Sequence, residues 1–425
     1  MNPQFKIVLG GSFGSLLEWY DYTLYGFMAP IFGKLFFPGI DPLAQLLATF
    51  GTFAIAYLGR PFGSFIFGHW ADKIGRKPIL IFSIALMGLM TTALGFLPTY
   101  AQVGIWAPMG LLAVRVLQGL SVGGEYMDSA IFLAEHAPPG QRGRYAGSIN
   151  VLSGCGVLIA ACVATFVTSS LSESDLLEWG WRTPFYIGIV AASVGVLFRL
   201  GLKESPIYRS LKKRGEIPKS PIGETFRLQR MEMTTCFCMV CLQTVSFYVP
   251  TVFLNAWAVR YEHLELGNAL RATSIALVVL ILATYMGSHL SDRLGRRPVL
   301  LTVALLYFIL AYPLFWVLTL ETIDSLARFL VVQCILTALA GCYNGALPAT
   351  LVEIFSARTR CTAMSVSYNL AAGIVGGLTP FLCTLVIDLT HIPTSPALYM
   401  MLAAAVAGSL IFFRVRETAF KALRH

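Results

Sequence analysis

The stretch GHWADKIGRKP, from Gly68 to Pro78, occurs twice in the chain. Its second copy, SHLSDRLGRRP, runs from Ser288 to Pro298. Without a gap, Asp72 matches Asp292, Gly75 matches Gly295 and Arg76 matches Arg296. Another pair follows in the same order. EHAPPGQR, from Glu135 to Arg142, corresponds to EIFSARTR, from Glu353 to Arg360. A long internal repeat of this kind divides the chain into two related halves that run in the same direction.

The composition says what medium the halves occupy. Of 425 residues, 56% are hydrophobic and 12% charged, and the mean hydropathy is +0.70. A soluble domain carries about 25% charged residues. A membrane-spanning helix needs ~20 mostly apolar residues. Twelve such segments are expected, the first at about 8–33 and the last at about 397–415. The expected fold class is therefore all-α, with a six-helix bundle over 1–202, a linker over 203–231 and a second six-helix bundle over 232–425. The linker is basic and interrupted by Pro206, Pro218 and Pro221. It reads as a tether.

A net charge of +9 raises the question of nucleic acid. The distribution answers it. Lys73, Arg76 and Lys77 follow the second span, Arg142 and Arg144 the fourth, and Lys203 through Lys219 the sixth. Arg293, Arg296 and Arg297 follow the eighth, Arg358 and Arg360 the tenth, and Arg414 through Arg424 the last. The intervening connections, SLSESDLLEW and ETIDS, are neutral or acidic. This is the bias of loops facing the cytoplasm. It puts both termini inside and makes the lipid bilayer the partner instead of nucleic acid. The start MNPQFKIVLGG has no small-residue cleavage site, so the first span is expected to insert the chain. The cysteines fall within apolar spans. CFCMVC (Cys236, Cys238, Cys241) has no histidine beside it, so no metal site is expected.

The repeated motif has a physical reading. Asp72 and Asp292 lie near a helix start, where a carboxylate is favoured by the helix dipole. Arg76 and Arg296 can pair with Glu135 and Glu353. With Arg142 and Arg360, these residues are expected to form a latch that shuts the cytoplasmic side and breaks when it opens. Two copies of D-[KR]-x-G-R-[KR] joined by a cytoplasmic loop resemble the major facilitator transporters, whose halves are parallel repeats. The segments LEWYDYTLYG (Leu17 to Gly26), RPFGSF, RVLQGLSVGGEY, EWGWRTPFYIG and KESPIY resemble, within that superfamily, the metabolite:proton symporters. FFPGIDPLAQ and GGEYMDSAIFLAEHAP are most similar to the branch that carries proline and betaine. CYNGALPATLVEIF and AAGIVGGLTPFLCTLVIDLT are most similar to the branch that carries citrate. Met127 and Asp128 depart from the small residues usual after GGEY.

Glu18 and Asp21 stand inside the first apolar span, where each carboxylate costs at least ~2.5–3.5 kcal/mol. With Tyr22 and Tyr25 they share one helix face. That face is expected to line a water-filled cavity. Arg115, in the outer half of the fourth span, is the counter-ion available to Asp21. An ionised Asp21 would neutralise Arg115, and a protonated one would free Arg115 to hold a substrate carboxylate. Proton coupling is thus expected at Asp21, Arg115, Glu125 and Glu18. Substrate contacts are expected at Arg115, Tyr22, Tyr25, Gln118, Tyr248, Asn255, Tyr343, Asn344, Tyr368 and Asn369. Arg60 reads as structural or gating. Asp128 has no counterpart in the resemblance and is expected to pair either with a positive group of the substrate or with the first turn of another helix. His69 and His289 read as scaffold.

The Gly-rich stretches GGSFG, SGCG and GIVGG lack the lysine and the strand–loop–helix setting of a phosphate loop. No nucleotide site or other cofactor is expected, and the energy source is a proton gradient. The expected function is uptake, by a monomer, of a small organic acid such as citrate or another di- or tricarboxylate, in symport with protons. Uptake of proline or glycine betaine, or export of a polycarboxylate or siderophore, are the alternatives. Export is weakened by the absence of a Gly-Pro ending in SGCGVLIAACV. No catalytic cluster supports an enzyme.

Overall fold

The computed structural model describes residues 3–39, 42–217, 220–320 and 324–423. Pro218 and Lys219 of the linker, Glu321 to Ile323 of the acidic connection and the terminal Arg424 lie outside them. Among the described residues, twelve long helices make up the fold. They are α1 (Pro3–Phe27), α2 (Pro42–Ile74), α3 (Arg76–Phe96), α4 (Trp106–His136), α5 (Arg142–Ser170) and α6 (Thr183–Leu200). After the linker come α7 (Arg230–Tyr261), α8 (Leu266–Leu294), α9 (Arg296–Leu318), α10 (Ser325–Ile354), α11 (Arg360–Thr390) and α12 (Pro396–Arg414). Among the described residues, nine helices are long and apolar enough to cross a membrane on that ground alone. The other three are α1, α2 and α4. Each carries intramembrane charge: Glu18 and Asp21, Arg60, and Arg115 with Glu125 and Asp128. The helices least suited to lipid are the ones that hold the site.

One buried cluster lies within the first half, and a larger one runs through the second half and into α2, α4 and α5 of the first. Leu17, Phe32, Ile84, Met87, Trp181 and Phe185 are buried in the first. Val245, Trp257, Tyr307, Phe329 and Met400 are buried in the second. Large apolar side chains such as Phe62, Phe166, Leu197, Leu282, Phe381 and Leu402 are exposed on the outside. An exposed apolar surface of this extent suits contact with lipid.

Small residues set the helix spacing. A methyl group on Gly63 would collide with the carbonyl oxygen of Leu120, and one on Gly119 with that of Ala56. α2 and α4 therefore touch backbone to backbone. In α7 and α11 the helical ladder loosens into single π turns, Val249–Phe253 and Ala372–Gly376. Such turns recur at functional sites, and both of these border the central cavities.

The termini, the linker helices Pro206–Arg214 and Pro221–Leu228, and the two motif loops share one face of the molecule. We call it the basic face. Gly75 (φ 111°) and Gly295 (φ 107°) make the same left-handed turn in the two motif copies.

Candidate functional site

Among the described residues, two adjoining cavities lie at the centre of the molecule, between the bundles. The larger, about 480 Å³, is bordered by the halves of α1, α5, α7 and α8 farther from the basic face. Trp19, Tyr22, Thr165, Tyr248, Asn255 and Thr273 contribute to its wall. A smaller chamber of about 60 Å³ lies deeper, with Arg60, Asn150, Gln243, Tyr248, Asn344 and Tyr368 in its wall. The two share Trp19, Val157, Phe247, Tyr248 and Leu277. Among the described residues that border either one, Arg60 is the only charged side chain.

Below the chamber the bundles meet. Tyr126 of α4 stacks on Tyr368 of α11, with ring centroids 4.8 Å apart. Asn369 donates to the carbonyl of Gly123 at 2.8 Å, and Asn150 to that of Asn344 at 2.8 Å. Above it, the hydroxyls of Tyr57 and Tyr248 stand 3.2 Å apart across the interface.

Among the described residues, three acid–arginine pairs stand at successive depths within the first bundle, apart from the charges at the basic face. Outermost is Asp21 with Arg115, at 3.5 Å. Gln118 ties the pair together, donating to Asp21 at 2.9 Å and accepting from Arg115 at 2.9 Å. The Arg115 guanidinium lies 4.1 Å from the Tyr25 ring centroid. Next comes Glu18 with Arg60, at 3.0 Å. Arg60 is sandwiched 4.4 Å from the Tyr22 ring and 4.4 Å from the Tyr57 ring. Innermost is Glu125 with Arg199 of α6, where a second contact spans 3.0 Å. Arg199 also donates to the Gly10 carbonyl at 3.0 Å. A methyl on Gly14 would collide with Glu125, so the glycines of GGSFG admit this pair.

The helix-1 face differs from expectation. Trp19, Tyr22 and Thr23 border the outer cavity, whereas Glu18, Asp21 and Tyr25 are buried within the first bundle, at most 1% exposed. The physical reason is that each acid has an arginine on a neighbouring helix of its own bundle, so the charges face one another in place of water. Arg115 is fully buried and borders neither cavity, while Arg60 takes the cavity position. Tyr248, Asn255, Asn344 and Tyr368 border the cavities. Tyr343 instead donates to the Met239 carbonyl at 3.1 Å, a helix–helix contact. Sequence reading missed Trp19, Tyr57, Asn150 and Arg199. Arg199 ends an apolar run beside the basic linker, so its signal was lost among the interfacial charges.

At the basic face each motif copy reaches into the other bundle. Asp72 accepts from the backbone N–H groups of Cys361 (3.2 Å) and Thr362 (2.9 Å) at the start of α11. Asp292 accepts from those of Gly143 (2.7 Å) and Arg144 (3.0 Å) at the start of α5. The helix start that stabilises each aspartate thus belongs to the opposite bundle, not to the helix that follows it. Arg360 meets Glu135 at 2.8 Å, and Arg142 meets Glu353 at 2.9 Å, both across the interface. Within their own bundles Arg76 lies 3.6 Å from Glu135 and Arg296 lies 3.3 Å from Glu353.

A third repeat supports these. Glu204 accepts from the N–H groups of Arg76 and Lys77, both at 3.2 Å, and Ser205 donates to Glu135. Glu417 accepts from those of Arg296 and Arg297, both at 3.0 Å, and Thr418 donates to Glu353. Burial alone would raise the Glu417 carboxyl, but the N–H groups of Ala419, Arg296, Arg297 and Thr418 outweigh it and hold it below its ordinary value.

Two membrane bundles closed on one face, with a polar chamber between them, define a transporter. The family model for "Sugar (and other) transporter" matches residues 7–222 and 219–425, and the chain belongs to that family of the major facilitator superfamily. The proline/betaine transporter of Escherichia coli (strain K12) is 32% identical over 429 residues, covering 99% of this chain and 85% of that protein. The citrate-proton symporter of Klebsiella pneumoniae is 32% identical over 397 residues, covering 93% and 88%. Among solved structures, the proton:xylose symporter XylE bound to 6-bromo-6-deoxy-D-glucose superposes with a TM-score of 0.83 at 20% identity, over 99% of this chain and 97% of that one. The inward-open conformation of the xylose transporter XylE from E. coli gives 0.67 at 19% identity, over 99% and 98%. The expected resemblance to the metabolite:proton symporters and the all-α twelve-helix fold are both borne out.

Proposed function

We propose that this chain is a proton-coupled symporter that takes up a small zwitterion of the proline or glycine betaine kind across a bacterial cytoplasmic membrane, as a monomer. Its basic face is the cytoplasmic one, in keeping with the positive-inside bias. Its bundles are the six-helix units over 1–202 and 232–425, and the 203–231 linker tethers them.

The observation that carries the substrate reading is Arg60. One cation sits in a chamber whose wall also holds aromatic and uncharged polar groups, Trp19, Phe247, Tyr248, Tyr368, Gln243 and Asn344, beside the aliphatic Val157, Leu277 and Leu280. One guanidinium suits one carboxylate. The aromatic faces suit a quaternary or secondary ammonium. A tricarboxylate would bring more negative charge than one arginine balances, so the geometry favours the osmolyte reading over the organic acid. The proline/betaine transporter and the citrate-proton symporter are both 32% identical to this chain, so the choice between them rests on the chamber.

Coupling follows from competition for Arg60. An ionised Glu18 occupies the guanidinium. When Glu18 takes a proton, Arg60 turns to the substrate carboxylate, so proton and solute load together. Asp21, one helical turn outward and held by Arg115 and Gln118, is the station through which a proton reaches Glu18 from outside. Loading then lets the cytoplasmic latch part.

The test is charge movement in proteoliposomes on a solid-supported membrane, with glycine betaine, proline, citrate and α-ketoglutarate at two pH values. Currents with betaine or proline that grow as pH falls are expected. A current with citrate alone would return the reading to an organic acid.

A further inference from the structure

Asp128 is a carboxylate that the transport site does not use. It lies one helical turn from Glu125 on α4 and is fully buried. Neither of its oxygens accepts a hydrogen bond from a nitrogen or oxygen donor. It stands at the bundle interface, behind the latch. The titratable and charged groups that face it are Asp72 from α2, Arg76 from α3, Glu125 from its own helix and the Cys361 thiol from α11. Arg76 is the one cation among them, and it is already committed. It lies 3.7 Å from Asp72 and 3.6 Å from Glu135, and it donates to the Ala357 carbonyl at 3.3 Å.

An ionised Asp128 would therefore add a buried negative charge without a counter-ion beside the Asp72 carboxylate. Taking such a charge out of water costs several kcal/mol. Protonation removes that charge and supplies an O–H donor. Opening has the opposite effect. When α11 moves off α2, water enters and the ionised form is solvated. The Cys361 and Thr362 amides that hold Asp72 sit on the helix that must move.

We propose that Asp128 is a second proton-binding site, filled from the cytoplasm, and that its proton holds the cytoplasmic latch shut. By linkage, whatever favours the closed face favours the proton, and the proton favours closure in return. On opening, the proton leaves the Asp128 carboxyl for cytoplasmic water and a carboxylate remains. An acidifying cytoplasm then holds the carrier closed, which limits a symporter that brings protons in. The site stands on the latch geometry alone and does not depend on which solute is carried.

Hydrogen–deuterium exchange of the full-length protein in nanodiscs reads this directly. The amides of Cys361 and Thr362 are latch bonds, so their exchange, corrected for the intrinsic pH dependence, reports opening. Between pH 6 and pH 8 the wild-type latch is expected to open more readily by up to about tenfold per pH unit, the limit for one linked proton. Asp128→Asn and Asp128→Ala should both flatten that dependence, and the second guards against a fault peculiar to the amide. A flat wild-type profile, or a wild-type slope in either variant, overturns the proposal. Asp21→Asn is the control for the transport site. Its failure to alter coupling would count against the symport reading and leave this one standing.

Discussion

Glu18 and Arg60 meet at 3.0 Å on neighbouring helices, and of the two only Arg60 reaches the central chamber. An acid behind a cation that faces the cavity can control that cation without touching solute. Glu18→Gln should leave Arg60 permanently available. Substrate binding, followed by the fluorescence of the cavity tryptophan Trp19, should then lose its dependence on pH. Arg60→Ala should abolish binding. It should also destabilise the protein by about 3–5 kcal/mol, because Glu18 is left buried and uncompensated. The double variant Glu18→Gln, Arg60→Gln should recover part of the melting temperature but none of the binding.

Asp21 is held by Gln118 and Arg115 and has no route to solute except through its neighbours. Asp21→Asn keeps the shape and removes the titration. Exchange of labelled for unlabelled solute should persist, while accumulation driven by a proton gradient should fall to background. Accumulation at the wild-type level would remove Asp21 from the coupling path.

Each latch glutamate holds an arginine from both bundles, Glu135 with Arg76 and Arg360, Glu353 with Arg296 and Arg142. Glu135→Gln and Glu353→Gln should each shift the population toward the cytoplasm-open state, by about 1–3 kcal/mol of coupling energy. Spin-label distances between the linker and the loop before α11 should lengthen in both variants. Unchanged distances would mean the pairs do not govern opening.

Glu417 lies outside the membrane and titrates below the ordinary carboxylate range because four backbone N–H groups hold its ionised form. A carboxyl lowered on folding adds stability that is complete above its unfolded value. That stability is lost as pH falls through the folded one. The melting temperature should therefore drop in that acid window, and Glu417→Gln should lower it at neutral pH while flattening the acid slope.

Gly63 and Gly119 bring α2 and α4 into backbone contact, and Arg60 rides on that contact. Gly63→Ala or Gly119→Ala forces the helices apart, at a cost of about 1–3 kcal/mol. Lower yield of folded protein and weaker substrate binding should appear together. A variant with normal stability but lost binding would place the glycine in the site instead of the packing.

The repeat was legible because a latch built twice must be written twice. Asp72 and Asp292, Arg76 and Arg296, and Glu135 and Glu353 each keep their chemistry in both copies. The twelve spans were legible because lipid demands apolar length. The acids of α1 stood out for the opposite reason, since lipid does not tolerate them unpartnered. The partners themselves were less visible. Asp21 with Arg115 could be inferred from depth, but Glu18 with Arg60 and Glu125 with Arg199 join helices whose rotation no hydrophobic pattern specifies. An arginine at mid-depth looks the same in sequence whether it faces a cavity or a neighbour.

The amino-acid sequence by itself determined the medium, the twelve helices, the two-fold repeat and the repeated acid and arginine positions, because hydropathy, charge bias and motif spacing are local properties of the chain. Tertiary structure alone decided which charges pair, that Arg60 and not Arg115 meets the chamber, and that Asp128 lies behind the latch without a counter-ion. Those facts depend on the rotation of one helix against another, which is set by close contacts such as Gly63 on Leu120 and Gly119 on Ala56.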